Sequence, residues 1–239
     1  MNREGISLGW NCSSAQEGLS LGIRKNKING YSTCPFDMMI SNYIGLCKCI
    51  EDDFKYFCDP NYLELRPAPE MSKHIPNQKD GEQWVYNTYY NFVFNHESPY
   101  HGNLYLNETW SGPFHFVDNN FDNFIKRYTK RIEDFRNYLN GNNFIDFILV
   151  RYNSVPFELE KIIKTKHPNL KFKIHTISNF TNNNIGHLFN CTINGGVEYE
   201  IDYLNYMGIT EEKYPDEIKR YKIEHNTQSG DVNENIRIV

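Results

Sequence analysis

Phe144-Ile145-Asp146-Phe147-Ile148-Leu149-Val150 is a nearly continuous apolar run. A strand of that composition has to be covered on both faces, which is the situation of a strand inside a parallel sheet. The residues that follow agree with this. Asn153 and Ser154 cap a helix expected from Pro156 to Lys166, with proline in its first turn, and His167-Pro168-Asn169 stops it. Leu170 to Ile177 reads as the next strand. Strand, helix and strand in succession make a βαβ unit, whose crossover is right-handed.

A second strand-to-helix junction lies near the start. Ile6 to Leu8 reads as a short strand, Gly9 punctuates it, and Ser13 and Ser14 are expected to cap a helix beginning at Ala15. Cys12 therefore falls where a strand hands over to a helix N-terminus, whose unpaired N–H groups and partial positive charge favour a thiolate. Ser41 to Asp52 reads as a helix, and residues 59–83, broken by Pro60, Pro67, Pro69 and Pro76, read as a long surface excursion that could cover a site. Trp84 to Phe94 reads as one strand or a hairpin arm delivering His96, and residues 97–116 as irregular. Val117, Phe121, Phe124, Ile125, Tyr128, Ile132, Phe135 and Leu139 recur at helical spacing, so a core helix is expected over 117–139, ended by Asn140-Gly141. Lys126, Arg127, Lys130 and Arg131 fall on its outer face, the first three read as solvated. Residues 179–196 read as loop with a short strand at Leu188–Ile193, and a last helix is expected from Thr210 to Arg220. The expected fold is thus α/β: a single domain over 1–223, its mostly parallel sheet flanked by helices in three layers, Rossmann-like, with a polar, flexible tail at 224–239. Sites in such folds lie at the C-terminal ends of the strands.

The candidate chemistry follows from that placement. Cys12 is the candidate nucleophile and His96 the candidate base, with Asp37 or Glu97 to fix the imidazole. His101, His115 and His175 are weaker alternatives to His96. Arg24, Arg131 and Arg151 are candidates for holding an anionic or carboxylate group of the substrate, with Asn153 beside Arg151 at the end of the long apolar strand. Cys34, Cys47, Cys49, Cys58 and Cys191 read as structural. No metal and no other cofactor is expected: Cys47 and Cys49 diverge on a helix, and His96, Glu97 and His101 lack zincin spacing. The formal charge of −5 gives no reason to expect nucleic acid as a partner. No apolar run is long enough to span a membrane, and Met1 to Gly5 leads into no signal segment, so a cytoplasmic protein with reduced thiols is expected. The Asn, Lys and Ile bias suggests an AT-rich genome, such as that of a large virus, a protist or a low-GC bacterium.

Ser7-Leu8-Gly9 with Cys12, then Gly22-Ile23-Arg24, Pro35-Phe36-Asp37, Phe94-Asn95-His96-Glu97, Lys130-Arg131-Ile132 and Ile148-Leu149-Val150-Arg151 appear in that order. The set resembles a family described as putative papain-like cysteine peptidases. Two positions depart from the family pattern: Met38 stands where tryptophan is usual, and Glu97 where aspartate is usual. The resemblance implies a cysteine-dependent hydrolase or acyl-transfer enzyme acting on a peptide or small-molecule substrate. The βαβ unit argues for the layered fold above rather than a two-lobed papain fold. Two other functions fit the same sequence: a transferase or hydrolase for a phosphorylated or sugar-nucleotide substrate, favoured by Arg151, and a non-catalytic binding protein on the same scaffold. The oligomeric state is not written in the sequence.

Overall fold

A computed structural model describes residues 2–69, 77, 79–106, 109–150, 157–177 and 196–226. Its first layer is a parallel sheet of β1 (Asn2–Ser7), β5 (Asn143–Val150) and β6 (Lys171–Ile177), in the order β1-β5-β6. β5 is central, pairing Ile6 with Phe147 on one side and Ile174 with Phe147 on the other. This is the continuous apolar run, and its burial explains its composition: Ile145 to Val150 are all buried.

Adjacent residues of a strand face opposite ways, and β5 uses both faces. Ile148 meets α1 (Ser13–Ser20), where a Cβ on Gly18 would fall 2.3 Å from the Ile148 Cδ1 atom, so a side chain there would force Ile148 to shift. Phe147 faces the other way, toward Phe135 of α3 (Asp118–Asn140), with ring centroids 6.5 Å apart. Leu159 and Ile163 of α4 (Phe157–Lys166), and Leu46 and Ile50 of α2 (Tyr43–Glu51), join the same core. The expected α/β layering with helices on both faces is the architecture found.

Beside it stands a second sheet that the sequence reading did not separate: β2 (Leu63–Pro67), β3 (Gln83–Asn87) and β4 (Phe92–Phe94), all antiparallel. The expected surface excursion of 59–83 is corrected here, because it carries β2. Its prolines hid the strand, yet Pro67 closes an edge strand, where a missing N–H costs little. The outer face of this sheet is covered by α5 (Gly196–Tyr206), a stretch to which the sequence reading gave no element beyond the loop ending at Gly196. Its Tyr203 ring stacks on Trp84 at 6.0 Å, and Tyr206 lies edge-on to Trp84 and Tyr86. The last helix is α6 (Pro215–Asn226), starting five residues beyond the expected Thr210. The proposed strand at Leu188–Ile193 and residues 227–239 lie outside the described residues.

The long helix is present, but its first turn is not regular. Asn119, Asn120 and Phe121 have φ of 52°, 58° and 64°, in the left-handed region that asparagine tolerates better than most residues. Phe124, Tyr128, Ile132, Phe135 and Leu139 form its buried stripe, as the spacing predicts. Among the described residues, no helix is long and apolar enough to cross a membrane.

Candidate functional site

Cys12 lies where expected, at the C-terminal end of a parallel strand and the start of a helix. It is the N-cap residue of α1, half-buried, and its carbonyl accepts the first helical hydrogen bond from Gln16 N at 3.2 Å. The expected capping by Ser13 and Ser14 is corrected: Asn11 does it, its Oδ1 accepting from the Ser13 N–H at 2.9 Å. The turn before Cys12 is tight. Gly9 has φ of 94° and Trp10 has φ of 65°. A left-handed tryptophan costs on the order of 1–3 kcal/mol, and such residues persist where the surroundings enforce them.

The other thiols differ from Cys12 in their surroundings. Burial pushes the Cys34 and Cys49 thiols well above the usual range, and burial pushes Cys58 up to about 12. Cys47 is half-buried on α2, and Cys191 lies outside the described residues.

The two carboxylates considered for His96 are spent elsewhere. Asp37, fully buried, accepts hydrogen bonds from Arg24 Nη2 at 3.1 Å, Tyr31 Oη at 3.3 Å and the Cys34 N–H at 2.8 Å. Burial pushes its carboxyl up, against the pull of Arg24 and the Cys34 N–H. The Arg24 guanidinium in turn lies 3.8 Å over the Tyr31 ring. Glu97, also buried, accepts from Tyr128 Oη at 3.0 Å and Arg131 Nη1 at 3.4 Å, and Arg127 Nε lies 2.9 Å away without hydrogen-bond alignment. Arg127 and the buried Arg131 thus depart from the outer face expected of them, whereas Lys126 and Lys130 stay outside on Asp122 and Asp134. Arg24 is therefore brought into a buried ion pair that ties the loop after α1 to the 3-10 turn Pro35–Met38, and Arg131 into one that ties α3 to the turn after β4. Arg151 and Asn153 lie outside the described residues.

His96 follows β4 and is half-buried. Its ring packs edge-on to His101, with centroids 5.6 Å apart. Burial, then His101, Arg131 and Arg127, lower its pKa to about 3. It is held neutral. The sign of the resulting pH dependence is fixed. Between about pH 6.5 and 3 the unfolded chain binds a proton that the folded chain refuses, so stability falls with acid by up to about 1.4 kcal/mol per pH unit. His96→Gln should flatten this acid limb. Urea midpoints measured from pH 4 to 7 check it, and an unchanged slope in the variant would sink the assignment.

Of the His96–His101 pair, the imidazole that holds a carboxylate is His101. Its Nδ1 lies 2.6 Å from Glu82 Oε1, which also accepts the Trp84 indole N–H at 2.6 Å. Asn95 Nδ2 is 3.3 Å from the other ring nitrogen. All but Asn95 are buried, and Glu82 Oε2 has no hydrogen-bond partner. Glu82 was missed in the sequence because it sits at the end of the proline-broken stretch, next to no recognisable motif. His175 bonds Asp146 at 2.7 Å, with Arg3 on the same carboxylate, and His115 bonds Ser111. Although burial raises the Asp146 carboxyl, bonds from Arg3 and His175 hold it below its ordinary range. Among the described residues, no three His, Cys, Asp or Glu side chains gather to hold a metal ion.

A family model described as "Putative papain-like cysteine peptidase" matches residues 3–188, a span that takes in Cys12, the Arg24–Asp37 pair, His96, Glu97 and Arg131. No curated protein and no solved structure matches the chain.

Proposed function

Because the chain belongs to this papain-like cysteine peptidase family, we propose that it is a cysteine-dependent hydrolase or acyl-transfer enzyme in which Cys12 is the nucleophile. The observation that carries the reading is the position of Cys12: the half-buried N-cap of α1, at the C-terminal end of a parallel strand. There the helix N-terminus favours the thiolate, and its N–H groups suit an oxyanion. Burial raises the Cys34, Cys49 and Cys58 thiols, which weakens each of them as a nucleophile.

In this reading the thiolate adds to the carbonyl carbon of a peptide, isopeptide or small amide. The imidazole takes the Cys12 thiol proton and passes it to the leaving amine, and water then hydrolyses the thioester, returning a proton to the thiol. The His96–His101 pair supplies the imidazole. His96 is the member that burial keeps neutral, and His101 is the member whose tautomer a carboxylate, Glu82, fixes. Asp37 and Glu97 act as structural anchors through their arginines. The acidic chain, its formal charge −5, takes no nucleic acid as partner in this reading.

Limiting iodoacetamide at pH 6–7, followed by peptide mass spectrometry, tests the reading. Cys12 is expected to label ahead of the other five cysteines. Uniform slow labelling, or preference for Cys34 or Cys58, would remove the nucleophile.

A further inference from the structure

We infer that Ser41 is a positioning residue for Cys12, and that Ile40-Ser41-Asn42 is a strap tying the thiol's turn to the strand that carries His96. The inference rests on Cys12 being the nucleophile.

Ser41 grips the Trp10 backbone on both sides of its α-carbon. The Trp10 N–H donates to Ser41 Oγ at 3.1 Å, and the Ser41 N–H donates to the Trp10 carbonyl at 2.8 Å. Trp10 is the residue with the left-handed backbone, two positions before Cys12. Gly9 belongs to the same device, because a Cβ there would fall 2.1 Å from Ser41 Oγ, at a φ of 94° that already disfavours any side chain. The turn that aims Cys12 is thus held from outside, by a residue 31 positions later than Trp10.

The strap's other edge faces the base. Ile40 exchanges both backbone hydrogen bonds with Val93 of β4, at 2.8 and 2.9 Å. Asn42 Nδ2 reaches the Tyr90 and Asn91 carbonyls at 3.1 and 2.8 Å, while its Oδ1 accepts from Gly45 N and caps α2. β4 ends at Phe94, and His96 follows in the next turn. All three strap residues are buried. One three-residue segment therefore joins the turn bearing the thiol to the strand bearing the imidazole, and a shift of the strap would move the two reacting groups relative to each other. Misplacement of that kind lowers rate without touching either group.

The test is the pH profile of Cys12 alkylation by iodoacetamide in the wild-type chain, Ser41→Ala, Ser41→Thr and Ser98→Ala. Ser98 is the matched control: a buried hydroxyl that accepts from Val85 N and donates to the Phe94 carbonyl, both at 2.8 Å. Ser41→Ala is expected to slow Cys12 at pH 7 roughly tenfold, equivalent to about one unit in the thiol's pKa, with Ser41→Thr near wild type and Ser98→Ala unchanged. Gly9→Ala, which drives the hydroxyl off Trp10 without deleting it, should give the same loss and serves if Ser41→Ala does not fold. A folded Ser41→Ala or Gly9→Ala with the wild-type profile overturns the inference, as does equal slowing by Ser98→Ala. If Cys12 does not lead in the wild-type chain, the nucleophile reading fails and takes this inference with it. Cys12 leading in the wild type but indifferent to Ser41 overturns this inference and leaves that reading standing.

Discussion

Cys12→Ala is expected to abolish thiol-dependent turnover, lowering kcat/KM on a quenched fluorescent peptide library by a factor on the order of 10⁴ or more, the scale seen when a covalent nucleophile is deleted. The same variant should lose covalent capture by an electrophilic peptidyl probe, while its urea midpoint stays close to wild type. Cys12 is half-buried on the first turn of α1, and its truncation leaves no large cavity. Loss of turnover with stability intact separates a nucleophile from a packing residue. Undiminished turnover in a folded Cys12→Ala would end the cysteine-hydrolase reading. A non-catalytic binding protein on the same scaffold would then explain the chain better.

Glu97→Ala should be the most damaging single change to stability, costing about 3–5 kcal/mol, the usual result of stranding a buried charge. Glu97 is 1% exposed and holds Tyr128, Arg131 and Arg127 at once. Removing it leaves the buried Arg131 guanidinium without its carboxylate, beside a His96 that burial, then His101 and Arg131, keep neutral. The penalty belongs to the unpaired charge more than to the pair, so Glu97→Leu combined with Arg131→Met should recover most of it. Urea denaturation of the three proteins decides the matter. A loss below about 1 kcal/mol in Glu97→Ala would show that water or a neighbour compensates Arg131.

These expectations reassign the motif residues. Arg24, Asp37, Glu97 and Arg131 were singled out in the sequence as chemistry-bearing, and each turns out to neutralise another in the interior. A sequence motif records that a residue type is required at a place. It does not distinguish a carboxylate that orients an imidazole from one that neutralises a buried guanidinium. Only the partner distinguishes them.

What the sequence determined by itself was local. Ile145 to Val150 had to be covered on both faces, because seven nearly continuous apolar positions from Phe144 onward leave no face for water, and β5 is the central strand. The stripe from Phe124 to Leu139 had to be a helix, because only a 3.6-residue period gathers those side chains. Cys12 had to fall at a helix start, since strand and helix periods change there. What only the tertiary structure decided was who meets whom. β2 exists because Leu63 to Pro67 finds β3, against prolines that argue for loop. α5 is held by Trp84 and Tyr86, more than a hundred positions away. Glu82 becomes the carboxylate on an imidazole because the fold delivers His101 to it, and Ser41 becomes the clasp of the Cys12 turn because a strap from β4 carries it there. Periodicity is encoded within a turn or two of chain, whereas an ion pair or a buried hydroxyl bond is satisfied only after distant segments have packed.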